Sequence, residues 1–138
     1  RIEGTKLILQ KLAQLGTPNL PVIVSGDFNC NPWVPEYGVP VETTFTDACY
    51  HMFKDHGFVD TYLAGGNTDS PRSNTYHGYE GQQYSPVRHH MAWRIDWILT
   101  LNGQQRIQTQ SSTIIHDHAA PIYPSDHYPL LAELSVVN

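Results

Sequence analysis

Two short strings, Ser25-Gly26-Asp27-Phe28-Asn29 and Ser125-Asp126-His127, place carboxylates, an amide and an imidazole at turns of the chain. Each borders an apolar run: Pro21-Val22-Ile23-Val24 stops at the first, and Leu130-Leu131-Ala132 follows the second. β-Branched residues that end on Ser-Gly read as a buried strand delivering its last side chains to the lip of a sheet. Open sheets hold ligands at such edges. Hard oxygen donors and a histidine gathered there suit a hard divalent cation and a phosphate. Extended backbone through Asp27 and Asn29 puts both side chains on one side. The plainer alternative is an Asx-turn, in which both bond local backbone. Asp126-His127 has a similar alternative, an N-cap or turn pair, set against a side chain that changes charge near neutral pH.

Asp96 stands between Ile95 and Trp97 in the most regularly alternating stretch, Trp93 to Thr100. A charge buried there costs on the order of several kcal/mol unless it is paired. A cation would pair it, and so would a histidine N–H, as in the carboxylates that orient catalytic imidazoles. The alternative is a strand end paired with Arg94. Asn74 and His77, just before Gly78, are candidate substrate contacts on the rim. His89-His90 and His116-x-His118 beside Asp117 are of a type that binds transition metals, but neither has further ligands at regular spacing. Trp33, Tyr79, Trp93 and Trp97 read as core or pocket wall.

The elements that must position these groups follow from periodicity. Residues 1–15 form an amphipathic helix with Ile2, Leu7, Ile8, Leu12 and Leu15 near one face. Gly16-Thr17-Pro18-Asn19 stops it, and a strand over 21–26 follows. A helix is predicted from Thr44 to His56, capped by Thr44 or Thr46 and stopped at Gly57, with Phe45, Cys49, Met52 and Phe53 on its apolar face. Residues 58–62 read as a short extended piece, 73–79 as strand-like and 80–91 as a loop. Further strands are predicted over 93–100, 106–115 and 128–137, the first two joined by a hairpin through Leu101-Asn102-Gly103.

The chain has 138 residues, enough for one domain or part of one. Its formal charge is −5, and its eight Lys and Arg are dispersed without a basic stripe. That weighs against a long polyanion held by this chain, and leaves room for a small phosphoester. No apolar run approaches the roughly 20 residues of a membrane span. Cys30 and Cys49 form either one disulfide or two buried thiols. The opening Arg1-Ile2-Glu3 lacks a capping residue, as expected of a fragment that begins at the edge of an element.

Taken in order, Ser25–Asn29, Thr75-Tyr76-His77-Gly78-Tyr79, Arg94-Ile95-Asp96-Trp97-Ile98 and Ser125-Asp126-His127-Tyr128-Pro129 resemble the endonuclease/exonuclease/phosphatase superfamily. The resemblance implies an α/β fold, the C-terminal half of a four-layer α-β-β-α sandwich, with residues 1–138 as a single partial domain. The N-terminal half, with the family's metal-binding Glu and its Asn/Thr-His-Leu segment, lies outside this sequence. By resemblance, Asp27 activates or positions the attacking water, and Asn29 fixes that water and the phosphate. Asp96 orients the histidine, and His127 contacts a non-bridging phosphate oxygen. Asp27, Asn29 and Asp126 are the implied metal residues, for Mg²⁺ or alternatively Mn²⁺. The implied activity is divalent-metal-dependent hydrolysis of a phosphoester bond by a phosphodiesterase, nuclease or phosphatase, low in the isolated fragment. Partners expected are a small or lipid-linked phosphoester, with nucleic acid as an alternative that has no basic patch to hold it, and either the missing N-terminal half or a second copy covering an apolar sheet face. Two alternatives stand beside it: a non-catalytic phosphate-binding module on the same fold, and a transition-metal protein using His89, His90, His116 and His118.

Overall fold

A computed structural model describes residues 1–16, 20–30, 47–70, 72–85, 94–119 and 121–137. Helix α1 spans Ile2–Leu15 and ends at Gly16, whose left-handed φ of 56° lets its N–H turn back to the Ala13 carbonyl. Strand β1, Val22–Asp27, pairs antiparallel with β3, Asp96–Leu101, in a register running from Val22 opposite Leu101 to Asp27 opposite Asp96. The short strand β2, Val59–Asp60, lines the other edge of β3, giving the order β1-β3-β2. A second sheet pairs β4, Arg106–Ile114, with β5, Leu130–Val137, with one irregularity between Thr109 and Ser111. Helices α2, Ala48–Asp55, and α3, Thr61–Ala64, complete an α/β fold with antiparallel sheets.

The core explains where Asp96 sits. Trp97 and Leu99 are buried, with 1% and 0% of their surface exposed, and they pack with Leu9 of α1 and Cys49, Tyr50 and Phe53 of α2. Phe28, just past β1, stacks on Trp97 at 4.6 Å and meets Phe53 edge-on at 5.4 Å. Period-two alternation then turns Asp96 and Ile98 to the opposite face, where both are half-buried. The carboxylate therefore escapes the full cost of burial expected of a charge in an apolar strand. A second cluster, Tyr62, Ile114 and Tyr128, joins α3 to the β4–β5 sheet.

Several predicted boundaries shift, each for a local reason. Residues 58–62 divide into β2 and α3, because the Asp60 carboxylate accepts the Tyr62 N–H at 2.9 Å and starts a helical turn. Residues 73–79 make no strand. Tyr76 forms a single bridge to His127, and Gly78 and Tyr79 then take left-handed φ of 54° and 65°. Helix α2 begins at Ala48, with residues 44–46 outside the described ones. Cys30 and Cys49 are free, buried thiols, and burial together with the neighbouring Cys49 pushes Cys30 up to about 12. Ile23 on β1 and Leu131 and Val136 on β5 are exposed. Among the described residues no helix is long and apolar enough to cross a membrane.

Candidate active site

The β1–β3 register sets Asp27 directly opposite Asp96. Side chains so opposed have Cβ atoms roughly 4.5–5.5 Å apart, and like charges there repel. Each carboxylate has an answering donor. His127 Nδ1 lies 2.9 Å from Asp96 Oδ2. An ionised carboxylate can only accept, so Nδ1 carries the proton and Nε2 is the ring nitrogen left for other work. The imidazole meets the Tyr76 ring edge-on at 5.2 Å. The His127 and Asp96 side chains keep 24% and 22% of their surface exposed.

Asp27 is exposed and bound at both oxygens by one residue. The Asn29 backbone N–H donates to Oδ1 and the Asn29 Nδ2 to Oδ2, each at 2.8 Å. The two side chains do not meet through extended backbone, as their spacing suggests. The strand ends at Asp27, and Asn29 adopts a left-handed φ of 50° that folds its amide back onto the carboxylate. The Asx-turn is present, yet it uses only one acceptor site on each oxygen, and Nδ2 keeps a second proton.

At the third turn, Ser125 Oγ accepts the His127 N–H at 3.1 Å and donates to Asp126 Oδ1 at 3.4 Å. The Asp126 carbonyl accepts N–H groups from His77 at 2.8 Å and Gly78 at 3.1 Å. Asp126 is half-buried.

Other candidates lie elsewhere. Arg94 does not pair with Asp96. It is fully buried, with Nη2 donating to Asp60 Oδ2 at 2.7 Å and Nε donating to Asp69 Oδ1 at 2.9 Å. Its guanidinium lies over the Tyr62 ring at 4.6 Å. Burial pulls its pKa down, but the bond to Asp69 and the charge of Asp60 more than offset this and hold it above the usual arginine value. Sequence reasoning missed Asp60 and Asp69. Asp60 carried the signal used for Asp96, an acid within the apolar stretch Phe58–Tyr62.

His77 is not on the rim. It is 1% exposed, with its ring 4.0 Å from that of Tyr128 and 4.9 Å from that of Tyr123, and its Nδ1 accepting the Gly81 N–H. Burial lowers its pKa, opposed by a backbone hydrogen bond with His127. Asn74 is buried too, donating to the Tyr76 carbonyl at 2.8 Å. It borders a cavity of about 520 Å³ lined also by Arg72, Gln82, His116 and Tyr128. His116 and His118 pack on Tyr128 and Tyr123, while His89 and His90 lie outside the described residues.

Among the described residues no three His, Cys, Asp or Glu side chains gather to hold a metal ion. The oxygens of Asp27, Asn29 and Asp126 fit a hard cation in kind, as part of a shell.

This is an α/β fold that collects acids, an amide and an imidazole at one end of its β1–β3 pair. The family model described as the Endonuclease/Exonuclease/phosphatase family matches residues 3–127, and the chain belongs to that family. No curated protein matches it. Among solved structures it is similar to the crystal structure of an endonuclease/exonuclease/phosphatase family protein from Bacteroides thetaiotaomicron. That likeness has a TM-score of 0.65 at 22% identity, over 99% of this chain and 45% of the other. The chain thus spans less than half the length of that relative.

Proposed function

We propose that Asp27, Asn29, Asp96, Asp126 and His127 form part of a site that hydrolyses phosphoester bonds with the aid of a divalent cation. The observation that carries this reading is Asp27 facing Asp96 across two strands, with Asp96 bonded to His127. Family membership supports it. Phosphoryl transfer needs positioning and charge neutralisation more than covalent help, and these side chains offer both.

Asp27 orients the attacking water and takes up its proton, using the acceptor capacity that Asn29 leaves free. The second Asn29 Nδ2 proton is available to a phosphoryl oxygen. Asp96 stabilises His127 as an imidazolium, whose Nε2–H donates to a non-bridging oxygen as negative charge builds there. The water oxygen bonds to phosphorus, the bond from phosphorus to the ester oxygen breaks, and the departing oxygen takes a proton from solvent water while Asp27 returns the proton it took up to solvent. Mg²⁺ or Mn²⁺, held by Asp27, Asn29 and Asp126 within a larger shell, would neutralise phosphoryl charge. The substrate proposed is a small or lipid-linked phosphoester, since the few dispersed cations suit a long duplex poorly.

The test is Asp27→Ala and His127→Ala in the full-length protein, assayed on bis(p-nitrophenyl) phosphate and p-nitrophenyl phosphate with Mg²⁺. Each variant is expected to lose roughly a hundredfold or more in turnover. Unchanged cleavage in both rejects this site. Wild-type protein that binds phosphate without turning over either ester supports the binding module instead.

A further inference from the structure

We infer that Thr75 is the positioning residue that fixes Asp96 against His127, an inference that rests on the hydrolytic reading above. The two members of that couple come from separate parts of the fold. Asp96 opens β3 in one sheet, and His127 precedes β5 in the other, so no strand ladder sets their spacing. One buried residue touches both sides. Thr75 is 0% exposed, and its Oγ1 accepts the N–H of Ile95 at 3.1 Å and of Asp96 at 3.2 Å. Its carbonyl accepts the N–H of Tyr128 at 2.7 Å.

The residues that follow reinforce the junction. Tyr76 bridges to His127, and His77 and Gly78 donate to the Asp126 carbonyl. A hydroxyl has two acceptor lone pairs, and here both are used on the two backbone groups that deliver Asp96. Buried N–H groups need such partners. Removing the hydroxyl leaves the Ile95 and Asp96 N–H groups without this acceptor, so the start of β3 is held from the β1 side alone, while the Thr75 carbonyl still holds the turn at Tyr128. The Asp96–His127 distance is what changes. Displacement of a catalytic pair by about 1 Å can cost a hundredfold in rate.

Thr75→Val keeps the shape of the side chain and deletes the acceptor, whereas Thr75→Ser keeps the acceptor and deletes a methyl group. Both are made in the full-length protein, with turnover of bis(p-nitrophenyl) phosphate and the low-field proton NMR resonance of His127 Nδ1–H as readouts. Thr75→Val is expected to lower kcat roughly ten- to a hundredfold with KM within about twofold, and to shift or broaden that resonance. Thr75→Ser is expected to keep both near wild type. Wild-type turnover and resonance in Thr75→Val overturn the inference, as does a serine variant as impaired as the valine one. A valine variant that fails to fold beside a wild-type-like serine variant also overturns it, because the hydroxyl then serves the whole fold. The resonance reads geometry without turnover. Should His127→Ala leave hydrolysis intact, the hydrolytic reading fails while the resonance still decides whether Thr75 holds the pair.

Discussion

Asp96 Oδ2 and His127 Nδ1 stand 2.9 Å apart, joining the start of a strand in one sheet to the turn that leads into the other. The carboxylate orients the ring and fixes the Nδ1–H tautomer. Asp96→Asn preserves size but offers an amide that can donate to Nδ1 and so select the wrong tautomer. Turnover is expected to fall roughly 10²- to 10⁴-fold, by analogy with the loss of an orienting carboxylate in acyl-transfer triads. The couple is partly exposed, so the urea midpoint should move little. Steady-state kinetics beside urea unfolding check this, and an asparagine variant with near wild-type kcat removes Asp96 from the proposed chemistry.

Asn29 offers a clean deletion. Its φ of 50° suits glycine at least as well as asparagine, so Asn29→Gly removes the amide without straining the turn. Asp27 then loses its side-chain donor while the backbone N–H bond to Oδ1 can persist. Folding should change by no more than about 1 kcal/mol, the net worth of one exposed side-chain hydrogen bond, while phosphoester turnover drops at least tenfold. Equal turnover would mean that the amide only completes a turn.

The site's geometry was legible where its signals are local. The end of β1 at Asp27 follows from an apolar run meeting Ser-Gly, and the Asp96 strand follows from alternation between Ile95 and Leu99. The Asp96–His127 bond spans 31 residues, and only the imbalance of a lone acid in an apolar strand hinted at it. What failed depends on partners that no local pattern specifies. Arg94 finds Asp60 34 positions away, and His77 disappears between Tyr123 and Tyr128. Residues 73–79 have strand-like composition, but left-handed backbone at Gly78 and Tyr79 overrides propensity.

Arg94 supplies a stability prediction. A fully buried guanidinium is shared by Asp60 and Asp69, and its removal leaves two acids without a counter-charge, although Tyr50 Oη still donates to Asp60. Arg94→Met should destabilise by about 3–5 kcal/mol. Arg94→Lys should not restore the loss, since an ammonium cannot reproduce the fork that reaches both carboxylates. Urea unfolding measures both, and a lysine variant of wild-type stability would refute the fork argument.

His77 makes stability depend on pH with a definite sign. Burial lowers its folded-state pKa below the ordinary histidine value of about 6.5, and its Nδ1 must stay unprotonated to accept from Gly81. Between the lowered value and about 6.5 the unfolded chain binds the extra proton, so stability rises with pH and is lost as pH falls. Asp126, His127 and His116 also act on the ring, the acid opposing the shift and the two imidazoles adding to it. His77→Asn keeps an acceptor near the Nδ1 position and does not titrate. The stability gap between wild type and His77→Asn should therefore shrink as pH drops from about 7 to 5, by at most about 1.4 kcal/mol per unit. Urea unfolding of both proteins across that range isolates the term, because groups common to the two cancel. A gap that stays level or widens on acidification would show that His77 is not held neutral by the fold.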